Sequence, residues 1–410
     1  MIVQRVEKHL IKKNNSYYQM FCDFTHKAKN LYNHANYVVR NEFVTNGKWV
    51  RSNDLDKILR ADTKYDDYRQ MSTAQSAQQI LRLLDDNWKS FFKAIKEWSR
   101  NKSKFLGRPK LPNYKPKNGK MMLILTNQNV KLKDGVLHFP KCFNGFNLTP
   151  VCIRLDNFIS FQQLRIIPKG NCFEMEVVYK IEIPDNKLPD NRKYLSIDIG
   201  LDNLATVVNN FNEKPFIING KGLKSVNKYF NKLLAHYQEI AKRMNNKYST
   251  NRISRITQKR NNKIKDYMHK VSNYIIQYAL SENANTIVIG NNKNWKQKSV
   301  MNKNINQSFV GIPHLTFIKM IGYKAENVGL NVVLTEESYT SGTSFLDNED
   351  PVESNYNKKR RIHRGLFVSN KGMKINADVN GAYQIMKKVF PNAYAEGIEG
   401  VALHPVVVNA

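Results

Sequence analysis

YLSIDIGLDNLAT, residues 194–206, is the stretch that decides how this chain folds. Leu195 to Ile199 reads as a short buried strand that delivers one carboxylate, Asp198, before a turn at Gly200. Leu204 to Asn209 reads as its hairpin partner and Phe216 to Ile218 as a third strand. Thr286 to Ile289 and Asn331 to Leu334 read as further strands. Leu315 to Val328 and Asp378 to Val389 read as helices. Strands alternating with helices argue for an α/β sheet domain. A second carboxylate, Asp378, opens the last helix within KINADVNGA, residues 374–382, between the small residues Ala377 and Gly381. Either Asp alone reads as a cap or turn residue. A strand-borne Asp joined by a distant Asp at a helix start is how a divalent-metal nuclease site is built. Such hydrolysis needs carboxylates that hold two cations roughly 4 Å apart. Mg²⁺ suits it, since it prefers oxygen ligands and keeps waters.

The whole composition points to a polyanionic partner. The chain of 410 residues carries 65 Lys and Arg against 34 Asp and Glu, a net charge of +31. A soluble domain needs a fraction of that charge, and self-repulsion of this size implies nucleic acid. A hydrophobic content of 41% fits a folded chain long enough for two or three domains. Cys22, Cys142, Cys152 and Cys172 stand singly, without a CxxC pair, which excludes a cysteine zinc ribbon. They read as buried free thiols in a reducing cytosol. No apolar run approaches membrane-spanning length and the N-terminus has no apolar h-region, so a cytoplasmic, nucleoid-associated protein with no membrane partner is expected.

The N-terminal half has its own pattern. Residues 1 to about 10 alternate like a strand, and Ser16 to Phe43 is helical. Thr73 to Trp98 places Ile80, Leu81, Leu84, Trp88 and Phe92 at helical spacing, a core stripe. KSKFLGRPKLPNYKPKNGK, residues 102–120, reads as an extended basic loop. Short strands follow, Met121 to Thr126, Val136 to Phe139, Ile153 to Leu155, Gln163 to Pro168 and Phe173 to Ile183, suggesting a small barrel or sandwich. Pro184 and Pro189 mark a linker. Lys221 to Ala279 reads as one long basic helix or a helical hairpin.

Four segments in this order and spacing, LSIDIGLDNLATV, TIVIGNNKNWKQ, SYTSGTSFLD and KINADVNGAYQI, resemble the RuvC-type core of the TnpB (OrfB) family, transposon-encoded RNA-guided DNA endonucleases. The resemblance covers most of residues 190 to 390 and, more weakly, the helix around STAQSAQQILRLLDDNWKSFF. It implies a multidomain α+β protein. Residues 191–410 would form an RNase H-like (RuvC) α/β nuclease domain with a target-loading insertion at about 341–374. Residues 1–190 would form a β-barrel wedge domain, about 1–12 and 104–190, with an inserted helical recognition lobe, about 13–103. It implies Mg²⁺ in a two-metal site, a guide RNA from the transposon end (an ωRNA), double-stranded target DNA and a monomeric ribonucleoprotein.

Two departures sharpen the expectation. The family's second acid ends the Thr286 strand, where this chain has Gly290, and Gly cannot bind metal. The next strand runs on into Thr335-Glu336-Glu337. If it lies beside the Gly290 strand, one of these glutamates would reach over the missing side chain. Side chains alternate along a strand, so only one of the two faces the metals. Pattern alignment leans to Glu336. The resemblance is then to a family branch with a relocated glutamate. The catalytic and metal candidates are Asp198, Glu336, Glu337 and Asp378. The second departure is the absence of the cysteine pairs that often precede the last Asp, so no structural zinc is expected. There Asp347, Glu349 and Asp350 read as solvated loop charges ahead of a basic run.

The remaining candidates are contacts to nucleic acid. Lys242, Arg243, Arg252, Arg255, Lys259 and Arg260 on the basic helix read as a groove wall for phosphates. Arg360, Arg361 and Arg364 read as contacts in the insertion. Gln75, Gln78 and Gln79 share a helix face and have the chemistry to read base edges. His269 and His314 pair with no nucleophile. The alternatives are a nuclease-inactive RNA-guided repressor and a transposase that acts on DNA without RNA.

Overall fold

The structure, a computed structural model, describes residues 1–185, 187–292, 307, 311–363, 365–394 and 400–409. The chain divides into two compact units, Met1–Glu182 and Ile183–Ala410.

In the first unit, β1 (Ile2–Lys12) pairs antiparallel with β7 (Cys172–Glu182), which pairs with β6 (Phe158–Lys169). β6 in turn pairs with β2 (Leu123–Thr126). A second sheet joins β3 (Lys131–Lys133), β4 (Val136–His138) and β5 (Asn147–Leu148). Where a small barrel or sandwich was expected, the described strands form two open sheets, of four and three strands. Three helices, α1 (Tyr18–Asn46), α2 (Ser52–Ala61) and α3 (Ala74–Arg100), pack with them. α3 starts in a capping box: Ser76 N–H donates to Thr73 Oγ1 (3.1 Å) and Thr73 N–H to Ser76 Oγ (3.2 Å). Ile80, Leu81, Leu84 and Trp88 of its apolar stripe are fully buried. Ile153 to Leu155 is not a strand. Val151–Arg154 is a 3₁₀ turn, because the Glu7 carboxylate gathers the N–H groups of Val151 (2.9 Å) and Cys152 (2.6 Å). Of the four thiols only Cys152 and Cys172 are buried; Cys22 is half-buried and Cys142 exposed.

The second unit is mixed α/β. Its main sheet has the order β12-β11-β8-β9-β10-β16. Here β8 is Tyr194–Asp198, β9 Asn203–Asn209, β10 Phe216–Asn219, β11 Thr286–Gly290, β12 Asn331–Thr335 and β16 Val406–Val408. β8, β11 and β12 are parallel, whereas β9 runs antiparallel to both β8 and β10. On one face, Leu195, Ile197, Ile287 and Ile289 pack with α5 (Asn251–Ser281) and α6 (His314–Asn327). On the other, Tyr194 and Val208 pack with α7 (Ala377–Val389). The basic helix is broken in two: α4 (Lys221–Asn245) ends at Asn246 in the left-handed region (φ 48°), and Thr250 Oγ1 caps α5 by accepting Ile253 N–H at 3.2 Å. A small antiparallel sheet, β13 (Arg361–His363), β14 (Leu366–Val368) and β15 (Lys374–Asn376), leads into α7.

Candidate metal centre

Three parallel strands end together, and the site sits at their carboxyl ends, where open α/β sheets bind ligands. Asp198 is the last residue of β8 and Gly290 the last of β11. Ile289 pairs with Ile197, so Gly290 and Asp198 follow at the next step along each strand. Because side chains alternate, Asp198 points to the same face as Tyr194, the face covered by α7. That helix brings Asp378 in its first turn. Asn376 Oδ1 caps it, accepting the N–H groups of Asp378 (3.0 Å) and Val379 (3.2 Å). Gly381, one turn on, permits the approach: a Cβ there would lie 3.1 Å from Asp198 Oδ2.

Gly290 leaves a space and Glu337 fills it. A Cβ on Gly290 would collide with Glu337 Oε1, at 2.6 Å from Glu337 Cγ and 2.7 Å from Ile385 Cδ1. Glu337 and Asn292 are mutually bonded: Glu337 N–H donates to Asn292 Oδ1 and Asn292 Nδ2 to Glu337 Oε2, both at 3.1 Å. Lys388 Nζ donates to the carbonyls of Glu336 (3.1 Å) and Ser338 (2.6 Å), fixing the turn that presents Glu337. Glu336, favoured by pattern alignment, is exposed and accepts from Ser338 Oγ at 2.6 Å. The parity argument explains the outcome. Val332 packs on the α5/α6 face, so Val333, Thr335 and then Glu337 take the face of Gly290.

The electrostatics suit a cation. Burial first, then the charges of Glu337 and Asp378, push the Asp198 carboxyl well above the usual carboxylate range, with Arg361 opposing. Burial pushes Glu337 up to about 7, with Lys388 opposing. Glu337 Oε1 is buried and has no hydrogen-bond partner. An orphaned carboxylate oxygen close to the half-buried Asp198 is the donor chemistry of a hard divalent ion. Asp378 is tied meanwhile: Arg361 donates to Oδ1 at 2.8 Å and Asn203 Nδ2 to Oδ2 at 2.7 Å. Among the described residues no three His, Cys, Asp or Glu side chains form a ready-made ion cage. Sequence reasoning missed Asn203 and Asn292, amides whose partners only the fold supplies. It also put Arg361 on nucleic acid rather than on an acid of the site. His314 is buried behind the turn that follows Asp198, its Nε2 at 3.2 Å from the Gly200 carbonyl.

A pH effect follows. Both carboxyls titrate higher in the folded chain than unfolded, so the metal-free fold binds extra protons. That stability is full in acid and is lost as the pH rises through about 7 for Glu337. In chelator, the melting temperature is expected to fall between about pH 5 and about pH 8 by more in the wild type than in Glu337→Gln. Mg²⁺ is expected to raise it more at the higher pH. Equal profiles for the two proteins would contradict this.

The OrfB_IS605 family model, described as a probable transposase, matches residues 176–296. The Cas12f1-like TNB domain model matches residues 314–385. The TnpB-like protein ORF457 of Acidianus two-tailed virus is 23% identical over 392 residues, spanning 87% of this chain and 80% of that protein. Both models and this relative make the chain similar to TnpB-family proteins. Among solved structures it is similar to a Cas12f1–sgRNA–target DNA complex (15% identical, TM-score 0.37, 93% of this chain and 98% of that one). It is also similar to the mini-RNA-guided endonuclease CRISPR-Cas_phi3 (11%, TM-score 0.46, 94% and 92%).

The segment ahead of α7, about residues 341–374, is held by polar contacts. The acids there are not simply solvated. Glu349 Oε2 accepts Ser344 N–H (2.8 Å) and Arg360 (2.6 Å), while Asn370 reaches Oε1 at 3.2 Å. Burial raises the Glu349 carboxyl, but these donors outweigh it and hold the group below its ordinary value. Buried Lys387 bonds the Asn348 carbonyl at 2.7 Å and pairs with Asp350 at 3.1 Å. Asn380 donates to the Thr343 carbonyl (2.8 Å) and accepts Phe345 N–H (3.0 Å). Glu349→Ala strands Arg360, so it is expected to cost about 3 kcal/mol of local stability. Faster proteolysis within residues 341–374 would report it; an unchanged digestion rate would contradict it.

The other expected contacts divide into free and engaged. Lys242, Arg243, Arg255 and Lys259 are exposed, with Arg243 paired to Glu239 at 2.6 Å. Arg252 lies 4.4 Å over the Tyr237 ring, and with Arg255 and Lys259 it lines a cleft of about 580 Å³. Arg260 is turned inward to Asn227 (2.7 Å) and the Gly311 carbonyl, and burial lowers its pKa. Arg360 and Arg361 are spent on Glu349 and Asp378. Gln75 is occupied by Thr126 Oγ1 (2.7 Å) and Gln128; Gln78 and Gln79 are half-buried. Arg364 and the KNWKQ end of the second motif lie outside the described residues.

Proposed function

We propose that this chain is an RNA-guided DNA endonuclease in which Asp198, Glu337 and Asp378 hold Mg²⁺. The observation that carries this reading is Glu337: it occupies the space left by Gly290 and crowds the charge of Asp198. Cations bound there would supply Lewis-acid stabilisation of the phosphodiester oxygens and an activated water. The chain's own residues do the rest. Asn292 orients Glu337, Asn203 and Arg361 orient Asp378, and α7 holds Asp378 against the strand ends. The sheet order, with one antiparallel strand beside β8, supports an RNase H-like (RuvC) reading of residues 191–410. The net charge of +31 supports a guide RNA from the transposon end and duplex target DNA as partners. A monomeric ribonucleoprotein in the cytoplasm, with a wedge and recognition lobe in residues 1–190, completes the reading.

The test is a guide-matched plasmid. Asp198→Ala and Asp378→Ala are expected to abolish cutting while guide and target binding remain. Retained cutting by Asp198→Ala would overturn the assignment. The Arg361–Asp378 ion pair favours one second reading, a nuclease-inactive guided repressor. Wild-type protein that binds the plasmid and leaves it uncut in Mg²⁺ would establish that reading instead.

A further inference from the structure

The basic segment 102–120 is irregular in backbone but tightly pinned. One face of α1 holds its main chain from Pro112 to Met121. Lys29 Nζ donates to the Lys117 carbonyl (2.8 Å), Asn36 Nδ2 to the Pro112 carbonyl (2.9 Å), and Asn33 bonds both the carbonyl (2.9 Å) and the N–H (2.7 Å) of Lys115. Met121 N–H closes the run on the Thr25 carbonyl at 2.9 Å. Asn36 is itself held by Trp88 Nε1 at 3.2 Å. Pro109, Pro112 and Pro116 further restrict the chain. These contacts use up inward-facing carbonyls and leave the cationic side chains outside: Lys102, Lys104, Arg108, Lys110, Lys115 and Lys117 are all exposed.

Charge is concentrated there without compensation from the segment itself. No Asp or Glu occurs between Glu97 and Asp134. Lys104 pairs with Glu97 at 2.5 Å, but fixing so many like charges on one ridge still costs self-repulsion. Aromatic rings interleave with the cations. Tyr114 is 46% exposed with the Arg40 guanidinium 5.0 Å over its ring. Lys102 and Arg108 lie 5.2 and 5.8 Å over Trp98. From Lys110 to Lys117 the chain spans at most ~25 Å, room for several successive phosphates.

We propose that this strap is a preformed docking edge for a single-stranded stretch of RNA. Phosphates would lie along Lys110 and Lys117 and an unpaired base would stack at Tyr114. A rigid cationic track with aromatic platforms is how single-stranded nucleic acid is held without sequence reading. An exposed aromatic ring, here with Arg40 beside it, gives nothing to a duplex, whose bases are already stacked. The proposal rests on the RNA-guided reading above and adds where the RNA lies.

The test uses full-length protein freed of nucleic acid, a labelled single-stranded RNA, a DNA duplex of equal length and a salt series. Lys110→Gln with Lys117→Gln is expected to reduce the slope of log affinity against log salt by about 1.4, two phosphate contacts at ~0.7 each. Tyr114→Ala is expected to weaken RNA about tenfold and the duplex less than about twofold. All three substitutions are on the surface, and unchanged melting temperatures verify the fold. Wild-type RNA binding with an unchanged slope in the double variant overturns the strap alone. Equal losses on RNA and duplex overturn RNA as its occupant. Wild-type protein that binds no RNA overturns both the strap and the RNA-guided reading.

Discussion

Glu337→Gln is expected to lower cleavage of a guide-matched plasmid about a thousandfold, and Glu336→Gln less than about twofold. Removing a charged ligand from a Lewis-acid centre forfeits several kcal/mol of charge stabilisation, and each ~1.4 kcal/mol is tenfold in rate. Glu337 sits among the strand ends with a buried, unpartnered Oε1, two residues past β12. Glu336 is exposed, and its carboxylate accepts from the neighbouring Ser338 hydroxyl. Both variants are expected to bind guide and target like the wild type, which separates lost chemistry from lost assembly. Comparable losses in the two variants would remove the distinction on which the site rests.

Gly290→Ala is expected to impair the proposed cleavage through volume alone. The new methyl group would collide with Glu337 and press on Ile385, with Cγ and Cδ1 at 2.6 and 2.7 Å. Overpacking of this kind costs about 1–3 kcal/mol of stability. The cost in rate is expected to be larger, about a hundredfold, because a shift near 1 Å at a catalytic group has that effect. The complementary experiment exchanges the two residues. Gly290→Glu with Glu337→Gly returns a carboxylate to β11 and clears its space. It is expected to cut at least about tenfold faster than Glu337→Gly alone, with one tenfold step corresponding to ~1.4 kcal/mol. Gly290→Ala with wild-type cleavage would show that the vacant space is incidental.

The elements that carry the site were legible because each is set by local pattern. The apolar run that delivers Asp198, the strand before Gly290 and the helix opened by Asp378 follow from periodicity, whereas the Asn376 cap on that helix was not read. The choice between Glu336 and Glu337 was not legible. Val332 and Val333 are both apolar, so alternation alone does not say which face of β12 packs on α6. The strand also ends at Thr335, before either glutamate, and the turn is fixed from afar by Asn292 and Lys388. Arginines misled for a related reason. Composition marks a cation as available, but Arg260, Arg360 and Arg361 are claimed by distant partners. Likewise, Ile153 to Leu155 had strand propensity, and the Glu7 carboxylate overrode it by capping a 3₁₀ turn. The strap shows the converse. Its Pro, Gly and Lys content indicates an extended basic loop but not the face of α1 that pins it from Pro112 to Lys117.

The most direct test of this site is where a cation binds. Anomalous diffraction from crystals of the Mn²⁺-loaded protein would locate it. The expected result is a manganese peak in contact with the carboxylates of Asp198, Glu337 and Asp378, with Arg361 moved off Asp378. A peak on Glu336, or no peak while Glu337 stays bonded to Asn292 alone, would contradict it.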